Sequence, residues 1–134
     1  MSSNSVFFDS NVVVYFASDD ADKEPISAAL LKTGGVVSVQ VLNEFVNVAR
    51  RKYKMPYADV RDVLTAVCAT CTVVPLTIET HARGLAYAER YQLSIYDGMI
   101  LAAAVLAGST TLYSEDMHDG LVIDGVTVKN PYRG

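Results

Sequence analysis

A chain of 134 residues, 51% hydrophobic and 19% charged, fits one domain spanning 1–134 and is too apolar for a disordered segment. A formal charge of −4 argues against a protein that holds nucleic acid by bulk electrostatics. It leaves room for a nuclease that recruits phosphate through a bound cation. No apolar run approaches the roughly 18 residues of a membrane span. Met1-Ser2-Ser3-Asn4-Ser5 carries no basic residue and does not read as a secretory signal. With two cysteines and no export signal, a reduced cytoplasmic compartment is expected.

Val6 to Phe8 reads as a buried first strand, running straight into Asp9. Asn11 to Phe16 suggests a short helix or turn, with Ser10 or Asn11 able to cap it. Ser18 to Asp22 is an acidic loop without the Gly and Glu of a calcium loop. Residues 23–33 predict a helix with Ile26, Ala29, Leu30 and Thr33 on one side, stopped by Gly34-Gly35. Val36 to Ser38 is the second strand. A long helix follows to about Tyr53, with Val41, Leu42, Phe45, Val46, Val48 and Ala49 at helical spacing. Pro56 opens a further helix whose stripe is Tyr57, Val60, Val63, Leu64 and Val67. Val73 to Leu76 is a third strand, short or at an edge because of Pro75. Thr77 caps a helix expected to turn Ile78, Ala82, Leu85 and Ala86 inward. Residues 95–107 are apolar nearly all round and predict a buried helix. Thr110 to Tyr113 is the fourth strand, ending at Ser114-Glu115-Asp116. Val122 to Val128 carries one or two short strands about an Asp124-Gly125 turn. Alternating strands and helices imply a mainly parallel sheet with helices on both faces, its edges near residues 73 and 126.

Most of the fifteen acids are surface charge, yet four resist that reading. Asp9 and Asp116 each follow a buried strand, so a parallel sheet puts them on one edge. Glu44 lies near the start of the helix leaving the second strand, at a matching height. Asp97 sits in the first turn of the most apolar helix, where the helix N-terminus favours a carboxylate. Four like charges drawn together would raise one another's pKa, and a hard divalent cation resolves the repulsion. Oxygen-only ligands point to Mg²⁺ or Mn²⁺ rather than zinc. Such a site can activate water against a phosphodiester.

Phe8-Asp9-Ser10-Asn11, Ser38 to Phe45, Tyr96-Asp97-Gly98-Met99-Ile100 and Tyr113-Ser114-Glu115-Asp116 together resemble the PIN-domain family. More narrowly they resemble the VapC-type ribonuclease toxins, over nearly the whole chain and including Asn130-Pro131-Tyr132. The resemblance implies a three-layer α/β/α sandwich, an Mg²⁺- or Mn²⁺-dependent endoribonuclease acting on RNA, a homodimer, and a small antitoxin that blocks the site. It makes Asp9 and Asp97 the main metal ligands and has Glu44 and Asp116 complete the pocket, directly or through water. Ser114 takes the family's small hydroxyl position, and Asn11 is a further supporting residue. Gly98 departs from the family's usual alanine, which should cost under about 1 kcal/mol of helix stability and some local rigidity. Asp119 could reach the site, although a turn before Gly120 suits it better. Glu115 is expected to point away from Asp116.

Arg50, Arg51, Lys52 and Lys54 surround Tyr53 and read equally as a solvated helix end or as an RNA-backbone contact with a stacking ring. Cys68 and Cys71 end a helix instead of starting one, so small buried residues are expected, not a redox pair. Two cysteines cannot close a zinc site, and His81 and His118 lack the spacing to help. Two rivals remain. An aspartyl-phosphate receiver or phosphatase lacks its second acid, since Asn11 stands there, and lacks a lysine after a late strand. A catalytically silent PIN-fold binding module would not need all four acids.

Overall fold

The computed structural model describes residues 5–133, so the reading of Met1–Asn4 falls outside the described residues. The elements in chain order are β1 (Val6–Phe8), α1 (Ser10–Phe16), α2 (Lys23–Thr33), β2 (Gly35–Ser38), α3 (Val39–Arg51) and α4 (Tyr57–Thr70). Then come β3 (Cys71–Val74), α5 (Ile78–Tyr91), α6 (Ile95–Leu106), β4 (Thr111–Tyr113), β5 (Val122–Ile123) and β6 (Val126–Lys129). The six strands form one sheet in the order β3-β2-β1-β4-β6-β5. Every pairing is parallel except β5 with β6. Helices α1 to α4 pack among themselves, and α5 packs on α6, which lies against β2, β4 and β6. This is the expected α/β/α sandwich.

Successive strands β1, β2 and β3 march outward to one side, and β4 returns to the other side of β1. The direction of winding reverses between β1 and β4. In open parallel sheets the crevice beyond the carboxyl ends at such a reversal is where ligands bind. The core beneath it is apolar. Phe7, Phe8, Val12, Val36, Val37, Val41, Ile100, Leu101 and Leu112 are fully buried.

Several local expectations need correction. Asp9, not Ser10 or Asn11, caps α1, because its carboxylate lies just before the first free amide. Helix α2 buries Ser27 and Leu31 and leaves Ile26, Ala29 and Thr33 exposed. Ser27 faces inward because its Oγ meets the Tyr132 hydroxyl at 2.6 Å. Helix α3 stops at Arg51 instead of Tyr53. Tyr57 is exposed, covered on one side by the Arg50 guanidinium at 4.1 Å from its ring. Strand β3 starts at Cys71 and ends before Pro75, which keeps the proline out of the ladder. Cys71 is buried as expected, but Cys68 is exposed on α4. The far edge is β5, with β6 one place in. Their Asp124-Gly125 turn has positive φ at both residues, 46° and 87°, as a two-residue hairpin requires.

The largest correction is α5. Ile78, Ala82, Leu85 and Ala86 all face outward, and the buried face is Thr80, Gly84 and Tyr87. The reason is a near-contact of backbones. A Cβ placed on Gly98 would lie 2.3 Å from the Gly84 carbonyl oxygen, and one on Gly84 would lie 2.7 Å from Met99 Cγ. The two glycines let α5 and α6 approach as no larger pair could. The Tyr87 hydroxyl donates to Asp124 Oδ2 at 2.5 Å and ties this face to the β5–β6 turn.

Candidate active site

Strands β1 and β4 pair in register from Val6–Thr111 to Phe8–Tyr113, and the Phe8 and Tyr113 rings stack at 6.2 Å. The ladder continues one step, with Asp9 N–H donating to the Tyr113 carbonyl at 3.0 Å. Asp9 and Ser114 therefore leave the sheet side by side. Ser114 Oγ donates to Asp9 Oδ2 at 2.7 Å and accepts the amides of Asp116 and Met117 at 3.2 and 3.3 Å. One buried hydroxyl thus locks the end of β1 to the turn that presents Asp116.

The other carboxylates arrive on helices. Asp9 Oδ1 accepts the Ser10 amide at 2.6 Å. The Ser10 hydroxyl donates onward to Glu44 Oε1 at 3.0 Å, linking α1 to α3. Gln40 Nε2 donates to Glu44 Oε2 at 3.0 Å and to the Tyr96 carbonyl at 2.8 Å, linking α3 to the first turn of α6. Asp97 follows Tyr96 in that turn, and its amide is capped by Ser94 Oγ at 3.1 Å. Asn11 Nδ2 donates to Asp116 Oδ2 at 3.3 Å, while Asn11 Oδ1 accepts the Glu115 amide at 3.3 Å.

Electrostatics show that these acids share one space. Burial is the main force pushing the Asp9 carboxyl up to about 7; hydrogen bonds from Ser114 and Ser10 oppose it, and repulsion from Glu44 and Asp97 adds to it. Glu44 is raised first by burial, against the hydrogen bonds of Ser10 and Gln40, with Asp97 and Asp116 repelling it. Asp97 is raised by burial and then by Asp116. No basic side chain is among the groups acting on these three acids. Among the described residues, no three His, Cys, Asp or Glu side chains already converge as a finished metal site. Asp9, Glu44 and Asp116 each rest on neutral donors instead. The residues nevertheless fit a hard cation: their donors are all oxygen, their charges are uncompensated, and one is buried deeply enough to resist ionisation without a counter-charge.

Other candidates lie elsewhere. Asp119 accepts the Asn130 amide at 2.8 Å and meets Arg133 at 3.3 Å, so it pins the C-terminal segment and not the carboxylate group. Glu115 pairs with Lys23 and accepts from the Tyr15 hydroxyl at 2.6 Å. Arg50 is committed to structure, donating to the Met55 carbonyl at 2.8 Å. Arg51, Lys52 and Lys54 are exposed, as is His118. Sequence reasoning missed Ser10 as a bridge and Gln40 altogether. The four-residue spacing from Gln40 to Glu44 on a helix was the available signal. Gln40 is also the one described residue with a buried side-chain acceptor, Oε1, left without a partner.

Acids from four elements stand about a reversal crevice of an open α/β sheet, and comparison gives the family. Residues 6–118 match the PIN domain family model, and the chain belongs to the PIN-domain family. That membership sets aside the aspartyl-phosphate alternative. No curated protein is significantly similar in sequence. Among solved structures, it is similar to a toxin–antitoxin complex from Klebsiella pneumoniae at 23% identity and TM-score 0.73, covering 96% of this chain and 98% of that one. The sarcin–ricin-loop-cleaving toxin VapC20 of Mycobacterium tuberculosis gives 17% identity and TM-score 0.70, covering 84% and 90%. VapBC2 from Rickettsia felis, solved with a promoter DNA fragment, gives 18% and 0.66, covering 93% and 97%. Likeness at these identities concerns the fold. Among the described residues no helix is long and apolar enough to cross a membrane.

Proposed function

We propose that this chain is a Mg²⁺- or Mn²⁺-dependent endoribonuclease of the VapC type, acting in the cytoplasm as the toxin of a toxin–antitoxin pair. The observation that carries the reading is the crevice beyond β1 and β4. There Asp9, Glu44 and Asp97 are all driven toward protonation, with no basic partner acting on them. Asp9 and Asp97 are the primary ligands in this reading; Glu44 and Asp116 complete the pocket directly or through water. The bound cation supplies charge neutralisation and water activation for in-line attack on an RNA phosphodiester.

The chain's own residues do the positioning. Ser114 orients Asp9 through Oδ2, leaving Oδ1 with the Ser10 amide. Ser10 and Gln40 hold both oxygens of Glu44, and Asn11 holds Asp116. Asp9 would have to be ionised to hold a cation, so metal affinity would rise with pH. The solved relatives include toxin–antitoxin complexes, which supports a small antitoxin that covers the same crevice. A homodimer is supported by the outward apolar residues Leu76, Ile78, Leu85 and Tyr96, from 43% to 84% exposed.

The test is cleavage of single-stranded RNA with Mg²⁺ or Mn²⁺ by wild type, Asp9→Asn and Asp97→Asn. Both variants are expected to lose at least about a hundredfold in rate while their circular dichroism and melting stay intact. Wild-type rates in both variants would overturn the metal-site reading.

A further inference from the structure

Between α1 and α3 lies a cavity of about 340 Å³ whose floor is Phe45 and Ala49 and whose walls include Val14, Met55 and Tyr53. Its size falls within the roughly 300–1,000 Å³ of small-ligand pockets. A second space of about 200 Å³ shares Val14 and Tyr53 with it. That second space reaches Ser10, Asn11 and Asp116 at one end and Lys52 at the other. Val14 and Tyr53 are thus shared between a largely apolar cavity and a space lined by Ser10, Asn11 and Asp116 of the candidate site.

The surroundings select its occupant. Tyr53 is half exposed, with its ring presented to solvent, and Lys52 Nζ stands 5.4 Å from the ring centroid. Arg51 and Lys54 are exposed beside them. Lys52 thus sets a positive charge beside the ring in a chain whose net charge is −4. Asp19 also lines the cavity, which disfavours a phosphate inside it. A flat apolar group must enter while its attached anion stays outside, on the lysine side. A nucleotide has that division: a π-face that stacks on aromatic side chains and a phosphate that seeks Lys or Arg.

We propose that this cavity is a nucleobase subsite, in which a base flanking the scissile phosphate stacks on Tyr53 while Lys52 meets the adjoining backbone phosphate. The inference rests on the nuclease reading and deepens it. Single-stranded RNA is the substrate class that satisfies it, because only an unpaired base can turn out into a slot. Tyr53 and Lys52 then bind and align the strand; the bond-breaking chemistry remains with the carboxylates.

The probe is a short randomised single-stranded RNA pool with Mn²⁺. Its preferred cleavage sequence is then remade with one abasic nucleotide at each position in turn. Tyr53→Ala is expected to raise KM about tenfold with a smaller fall in kcat, in keeping with the loss of one stacked base. Tyr53→Phe keeps the ring and should restore KM to within about twofold. One abasic position should cost the wild type a similar factor and cost Tyr53→Ala nothing further. An unchanged KM in Tyr53→Ala, with wild type cutting, overturns the subsite alone and leaves the slot to an apolar protein segment. Equal abasic penalties in wild type and variant overturn it as well. No cleavage by wild type with any divalent metal overturns the nuclease reading and the subsite with it.

Discussion

Asp97 and Gly98 are neighbours in the first turn of α6, yet they serve two regions that differ in kind. Asp97 faces the crevice where carboxylates from four elements repel one another. Gly98 faces α5, where the absence of a side chain lets two helix backbones nearly touch. The crevice is a place of unfavourable charge held open by hydrogen bonds. The α5–α6 contact is a place of close packing with nothing polar to announce it. A region built for chemistry keeps groups that folding alone would reject, whereas a region built for packing is made of residues that could sit almost anywhere.

The largest effect expected from breaking this comparison is at Gly98. Helix propensity alone says that Gly98→Ala should stabilise α6 by about 0.5–1 kcal/mol. The 2.3 Å at which an added Cβ would meet the Gly84 carbonyl oxygen says the reverse. Overpacking of this kind should cost about 2–3 kcal/mol in urea unfolding. It should also lower cleavage, because Asp97 rides on the same turn. A more stable Gly98→Ala protein would show that the two helices have room to spare.

Gln40 joins the two regions, since its amide reaches from Glu44 to the carbonyl of Tyr96. Gln40→Ala is expected to lower cleavage about tenfold and to raise the Mn²⁺ concentration needed for half-maximal rate, as for other groups that orient metal ligands. An unchanged Mn²⁺ dependence would reduce Gln40 to a packing residue.

The crevice alone should respond to pH. Asp9 is raised from 3.8 to about 7 in the folded chain, and Glu44 and Asp97 are raised too. A carboxyl raised by folding contributes stability that is fully present below its unfolded value and is lost as pH rises through its folded one. Metal-stripped protein should therefore melt several degrees lower at pH 8 than at pH 5. Added Mn²⁺ should recover more of that loss at pH 8 than at pH 5. A flat melting profile would mean that Asp9 is less buried in solution than the crevice suggests.

The smallest effect on stability is expected on the outer face of α5. Ile78→Asp with Leu85→Asp should change monomer unfolding by less than about 1 kcal/mol, since both side chains are exposed. The same pair should shift light-scattering mass from dimer to monomer. A mass that stays dimeric despite both charges would move the proposed contact to another face, and a monomeric wild type would overturn the homodimer.

The uneven legibility of the chain follows from the same contrast. Asp9 after Val6-Phe7-Phe8, and Asp116 after Leu112-Tyr113, could be read as strand-end acids because alternation and burial are local properties. Glu44 and Asp97 were placed by helix starts. Gln40 and Ser10 were missed because a bridging role exists only when two distant elements meet. Tyr57 was misplaced because its cover is Arg50, seven residues back on a different helix.

By itself the amino-acid sequence determined the alternation of strands and helices, the parallel sheet, and which acids stand at element ends, since each follows from local hydrophobic period, caps and turns. Only the tertiary structure decided that β4 returns beside β1, that Ser114 grips Asp9, and which way α5 faces. Helix α5 carries one apolar stripe and one smooth glycine face. Burying the stripe would have gained area, but the face with Gly84 lets the backbones come so close that a Cβ on Gly98 would lie 2.3 Å from the Gly84 oxygen, which no stripe of side chains could match. Which face wins is settled by the partner helix, and the partner lies outside any local window of sequence.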